Sequence, residues 1–175
     1  LNENKAIPWV NGKMACLAIG TDITAIVKQE QELKKSKDEI KEKRDFYRTM
    51  MDNAPDLIWA KDLEGKYIFA NKAMAEKLLI AEVKEIKGMT DVFLAKRQRA
   101  LKPKRKDYHT FGELCADSDK GVIENPTRSY QFDEYGNVQG EFLFLDVLKA
   151  PLFNKDKQLI GTVGSGRVVT KEKEI

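Results

Sequence analysis

The spacing of hydrophobic positions along this chain changes several times, and each change marks an element. Apolar runs at 6–10 and 13–21 flank Asn11-Gly12, which predicts a hairpin because both turn residues tolerate positive φ. After Asp22-Ile-Thr24 the period lengthens. Ile26, Leu33, Ile40 and Tyr47 recur every seven residues, the spacing of a coiled-coil seam on a long helix. The companion positions are polar (Gln29 or Glu30, Ser36 or Lys37, Lys43 or Arg44), so the coil is expected to be weak on its own. Glu30 with Lys34 and Glu39 with Lys43 would equally support a solvent-exposed single helix. Asn53-Ala54-Pro55 should end it, since the residue before proline disfavours the α region.

Period-two patterns follow. Residues 57–61 read as a strand, Asp62-Leu-Glu-Gly65 as a turn and 66–70 as a second strand, with Asn71 placed to cap a helix over 72–79. Residues 81–128 read as short helices and loops, with one helix at 118–124 stopped by Asn125-Pro126. Strands at 130–134 and 138–148 are expected around a turn at Tyr135-Gly136-Asn137. The segment 141–148 is apolar at nearly every position, which predicts a strand covered on both faces. The last strand, 159–170, carries Gly161, Gly164 and Gly166, where another backbone or a ring can come close.

Composition narrows the class. The 175 residues, 42% apolar and 34% charged, hold one ordinary domain plus extra elements. No run approaches the roughly 18 apolar residues of a membrane span and no signal-peptide pattern opens the chain, so a cytoplasmic fragment without membrane contact is expected. Cys16 and Cys115 belong to no CxxC or CxxCH spacing, so no metal site is expected. The net charge is +3, but residues 96–106 carry seven positive charges and no negative one. Aromatic interleaving and a recognition helix are missing there, so a solvated basic face is expected and nucleic-acid contact is a remote alternative. No GxSxG, HExxH or phosphate-cradling glycine loop occurs, and no catalytic residue is assigned.

An internal echo suggests the domain organisation. Ile7-Pro8-Trp9-Val10 and the strand ending Asp22-Ile-Thr24 resemble Ala150-Pro151-Leu152-Phe153 and the strand ending Val168-Val-Thr170. Residues 1–24 are therefore expected to be the last hairpin of an upstream domain of the same kind, 25–52 a linker helix, 53–170 a complete domain and 171–175 the start of an output linker.

Taken in order, Asn53-Ala54-Pro55-Asp56, residues 62–71, Gly88-Met-Thr90-Asp91, Ser118-Asp119, Lys149-Ala-Pro151-Leu152 and residues 161–166 resemble a PAS domain of bacterial-type signalling proteins, such as sensor histidine kinases or diguanylate cyclases. The resemblance implies an α+β fold: a five-stranded antiparallel sheet with short helices on one face, here preceded by a long linker helix. It implies a module that senses a ligand, cofactor or partner and relays its state through flanking helices to an output domain elsewhere in the protein, and the seven-residue seam adds the expectation of a homodimer. Two departures stand out: Val168 occupies the position matching Asp22, where the family often places an exit aspartate, and the 93–117 segment is long and basic.

The resemblance also frames the candidate site. A flavin–thiol adduct needs an Asn-Cys-Arg-type motif, and Cys115 lies in Glu-Leu-Cys-Ala-Asp. Haem needs an axial ligand, and the lone His109, beside Tyr108 in a basic loop, is expected to be solvated or structural. A small organic ligand remains, its identity open. Strand alternation places Tyr67, Phe69 and Asn71 on one face and Phe142, Phe144 and Asp146 on one face of another strand. With Trp59, Tyr130 and Lys149 these are the pocket candidates. Core packing is the competing role for the phenylalanines, helix capping for Asn71, and solvent exposure for Lys149, which would otherwise pair with a ligand carboxylate. Two functions are left open: ligand sensing, or a ligand-free dimerisation and relay spacer.

Overall fold

The computed structural model describes residues 2–8, 11–12 and 14–169, and the side chains of 2, 3, 7, 8 and 14–17 fall outside the description. The expected output linker at 171–175 therefore lies outside the described residues. The chain divides into two units, Leu1–Phe46 and Tyr47–Ile175. In the first, β1 (Asn2–Pro8) and β2 (Met14–Gly20) pair antiparallel as a two-stranded sheet, with Gly12 of the connection at φ +74°. Asp22 Oδ1 accepts from Thr24 N at 2.9 Å and opens α1 (Thr24–Asn53), a continuous 30-residue helix with no buried residue. Ile26, Leu33, Ile40 and Tyr47 are each more than half exposed on the single chain.

The second unit is built on a five-stranded antiparallel sheet in the order β4-β3-β7-β6-β5, formed by β3 (Leu57–Asp62), β4 (Tyr67–Ala70), β5 (Tyr130–Val138), β6 (Glu141–Phe153) and β7 (Leu159–Val168). The segment between β4 and β5 supplies the helices: α2 (Lys72–Met74) continuing into a π-helical turn at Ala75–Leu79, α3 (Val83–Ile86), α4 (Asp91–Ala100) and α5 (Glu113–Glu124). Leu57, Met74, Leu78, Ile86, Leu94, Phe111, Leu145 and Val147 fill the space between sheet and helices. Among the described residues no helix is long and apolar enough to cross a membrane.

Three sequence expectations change. The β5–β6 turn lies at Gln139-Gly140, both at positive φ, and not at 135–137. Gly136 is small for another reason: a Cβ there would meet Thr110 Oγ1 at 2.3 Å and the Phe111 ring at 3.3 Å, because the 107–111 segment lies against β5. Helix α5 begins at Glu113, well before Ser118. Finally, β4 does not alternate regularly. Tyr67 pairs with Lys61 while Phe69 pairs with Ala60, so a bulge at Ile68 shifts the parity.

A buried charge cluster as the candidate functional site

The interior of the second unit is not purely apolar. Lys61 on β3 and Lys149 on β6 point to the inner face and are each 1% exposed. Sequence parity explains this: Lys61 follows the buried Leu57 and Trp59 at intervals of two, and Lys149 follows Leu145 and Val147. The helices supply the counter-charges. Thr90 caps α4 by accepting from Phe93 N, which places Asp91 in the first turn, buried at 4%. Asp119 sits on the buried face of α5, and Glu134 comes from β5.

Lys61 Nζ lies 2.5 Å from both Asp91 Oδ2 and Asp119 Oδ2, so one ammonium bridges two helices. Tyr67 OH donates to Asp91 Oδ1 at 2.5 Å. Lys149 Nζ is ion-paired with Asp119 Oδ1 at 2.9 Å and Glu134 Oε1 at 3.1 Å, and donates to Ser118 Oγ at 2.6 Å and to the Cys115 carbonyl at 3.2 Å. The Asp119 Oδ1 contact is a charge contact without hydrogen-bond alignment, which leaves that oxygen without a hydrogen-bond partner. Trp59 lies beneath both ammoniums, its ring centroid 6.0 Å from Lys61 Nζ and 5.8 Å from Lys149 Nζ. Gly164 makes room for it, since a Cβ there would meet the indole at 2.4 Å. Trp59 Nε1 and Thr162 Oγ1 are buried without a hydrogen-bond partner.

The electrostatics follow from burial. Desolvation opposes charge on Lys61, but Asp91 and Asp119 outweigh it and hold the ammonium above the ordinary lysine range. Burial, reinforced by Asp91, pushes Tyr67 well up, and burial with Asp91 and Glu134 does the same to Cys115. Cys115 is thus kept as a thiol, its Sγ 3.6 Å from Glu134 Oε2.

A second polar node ties this interior to α1. Asn71, fully buried, uses both ends of its amide. Its Oδ1 accepts from Ile58 N and Met74 N, both at 3.0 Å, while its Nδ2 donates to the carbonyls of Met51 and Asp56, both at 2.9 Å. Beside it, Asp52 Oδ1 accepts from Lys72 N at 2.8 Å, and Arg48 pairs with Asp52 Oδ2 at 2.7 Å while lying 5.0 Å over the Phe69 ring. The last turns of α1 are therefore wired to β3, α2 and the outer side of β4.

The sequence-selected residues divide accordingly. Trp59, Tyr67 and Lys149 meet in the interior cluster. Asn71 caps α2 and joins the elements around it. Phe69 faces Arg48, because the Ile68 bulge turns it away from Tyr67. Tyr130 lies at the interior rim, stacked on Phe132 at 6.3 Å with its hydroxyl bound to Asn125 O at 2.7 Å. Phe142 and Phe144 are on the opposite face of the sheet, against Tyr135, and Phe142 is 58% exposed. A strand apolar at nearly every position gives no parity; the pairing of Lys149 with Gly164 and of Val147 with Gly166 sets it. His109 is 2% exposed with Nδ1 unpaired, which corresponds to the structural of its two expected roles, solvated or structural, and it lies beside an interior space of about 10 Å³. Sequence reading missed Lys61, Asp91, Asp119 and Glu134 as site residues, although the inward parity of Lys61 was visible. Within the basic run, Arg97 pairs with Glu85, Arg99 with Glu113 and Arg105 with Asp107.

The PAS_4 family, described as PAS fold, matches residues 51–174. The chain belongs to the PAS family. No curated protein matches it in sequence. Among solved structures, the PAS chain resembles a VqmA dimer of Vibrio cholerae studied in the absence of its target DNA (19% identity, TM-score 0.55, covering 69% of this chain and 49% of that one). It also resembles a PAS domain from Colwellia psychrerythraea (18%, 0.52, 75% and 98%) and that of an HTR-like protein from Haloarcula marismortui (12%, 0.53, 78% and 99%). At these identities the likeness concerns the fold. The chain spans about half the length of the VqmA structures it matches.

Proposed function

We propose that this PAS domain is a sensory module whose input is the state of the Lys61–Asp91–Asp119–Lys149–Glu134 cluster and whose output leaves through α1. The observation that carries the reading is the cluster itself. Buried ion pairs are commonly neutral or costly compared with an apolar core of the same volume, so a domain serving only as scaffold gains little by keeping five charges inside. The cluster links two helices to the sheet, and Asn71 links the same sheet to α1, so a change at Lys61 has a short covalent and hydrogen-bonded route outward. Dimerisation through Ile26, Leu33, Ile40 and Tyr47 would let α1 carry that change along the chain as a shift in coil register.

A second reading, the ligand-free dimerisation and relay spacer, draws on a specific fact: Leu57, Met74, Leu78, Leu94, Leu145 and Val147 pack against one another between sheet and helices. Native mass spectrometry of the purified protein, with thermal melting across a metabolite set, separates the two. A bound small molecule, or melting raised by one class of compound, supports sensing; an empty protein with no shift supports the spacer. The coil is tested by Leu33→Glu with Ile40→Glu in the whole chain. Loss of dimer at unchanged melting of the PAS unit is expected, and a persistent dimer places the contact elsewhere.

A further inference from the structure

Helix α4 has two unlike faces. Asp91, Leu94, Ala95 and Gln98 are buried against the domain. On the opposite side stand Phe93, Lys96 and Ala100, with Leu101 closing the helix, at the i, i+3, i+7, i+8 spacing of one stripe. All four are exposed, Phe93 at 52% and Leu101 at 61%. The two large apolar side chains therefore project into solvent about 12 Å apart along the axis.

The loop that follows adds positive charge beside this stripe. Lys102, Lys104 and Lys106 are exposed and make no ion pair among the described residues. The arginines of the same run are already engaged, Arg97 with Glu85, Arg99 with Glu113 and Arg105 with Asp107. The loop has a fixed course. Lys102 N, Arg105 N and Tyr108 N donate in turn to the carbonyls of Arg99, Lys102 and Arg105, and Gly140 N donates to Tyr108 O at 2.7 Å. The lysines are thus carried on an ordered platform next to Leu101.

Charge complementarity calls for an anionic partner, and the residue types select among anionic partners. Arginine forks read individual phosphates and carboxylates, and these arginines are spent within the domain. What is left is lysine, a point charge suited to a dense, fluid layer of anionic headgroups, together with a phenylalanine and a leucine able to enter the acyl boundary. A nucleic acid can stack on Phe93 but leaves Leu101 without an apolar partner. We infer that the exposed face of α4 and the loop to Lys106 dock on a membrane surface rich in anionic phospholipid, with Phe93 and Leu101 inserted and the lysines at headgroup level. Such a contact needs no spanning helix, so it stands apart from the sequence expectation, which rests on the lack of one. It is also independent of the sensory reading above.

The test is co-sedimentation of the whole chain with vesicles of phosphatidylcholine, alone or with about 30% phosphatidylserine, beside fluorescence anisotropy with a labelled DNA duplex. Binding to the anionic vesicles alone is expected, lost at raised salt. Phe93→Ser with Leu101→Ser, and separately Lys102→Gln with Lys104→Gln and Lys106→Gln, are each expected to weaken it about tenfold at unchanged melting temperature. All five side chains are exposed, so both variants keep the fold. The inference is overturned by no binding to either vesicle, by equal binding to the neutral one, by anionic binding that survives either variant, or by tighter binding to the duplex than to the vesicles. Loss of vesicle binding in Phe142→Ser, on the outer face of the sheet, would also sink it, because the contact then lies there.

Discussion

The two faces of the sheet depart from the usual arrangement, with charges set into the apolar inner face and aromatic rings standing on the outer one. On β6 the inner side carries Lys149, 1% exposed, while the outer side carries Phe142 and Leu148, each more than half exposed. On β3 the inner side likewise carries a lysine. Apolar residues normally face inward because burial of their surface drives folding, at about 25 cal/mol per Å². Here the inner face holds charges that the helices must neutralise, and the outer face holds aromatic rings stacked on one another, Tyr135 with Phe144 at 6.1 Å. The inner face depends on partners fixed in place, so any loss there leaves a charge stranded; the outer face contributes area and depends on little.

The hardest break of this contrast is Lys61→Met. It leaves Asp91 and Asp119 buried beside each other without the bridging cation, and is expected to cost about 3–5 kcal/mol in urea denaturation. Asn71→Ala comes next, with a loss of about 2–3 kcal/mol, because two backbone donors and two carbonyls lose a buried partner; amide exchange should rise first at Ile58 and Met74. The third concerns pH. Burial, then Arg99, holds His109 below the ordinary histidine range, so the folded protein takes up this proton less readily than the unfolded chain. Stability is therefore full above that range and falls as the pH drops through it, and His109→Asn should flatten this decline in denaturation midpoints between neutral and mildly acidic pH. The mildest change is Phe142→Ser on the outer face, expected to move stability by less than about 0.5 kcal/mol. A loss as large as that of Lys61→Met would remove the distinction between the faces.

The sequence made the strands, the Asn71 cap and the long helix legible, because each has a local signal: alternation, a capping side chain before an apolar run, a seven-residue period. The inward position of Lys149 was only half legible, since a lysine after an apolar strand reads equally as one reaching solvent. The site as a cluster was not legible. Asp91, Asp119 and Glu134 are 15 to 43 positions apart, on two helices and a strand, and only the packing of α4 and α5 over the sheet brings them to the lysines. Phe69 and the face of Phe142 were misjudged for related reasons: a one-residue bulge resets alternation, and a uniformly apolar strand carries no inward mark.

The position of Trp59 makes the interior observable. Its indole lies about 6 Å from both ammoniums, close enough for their field to move the emission maximum whenever the ion pairs rearrange. Trp9 is the other tryptophan in the chain, and Trp9→Phe leaves Trp59 as the single indole, excited apart from the tyrosines at the red edge of the absorption band. The same ring that roofs Gly164 then reports in real time, without a label, whether Lys61 is still bound between its two carboxylates.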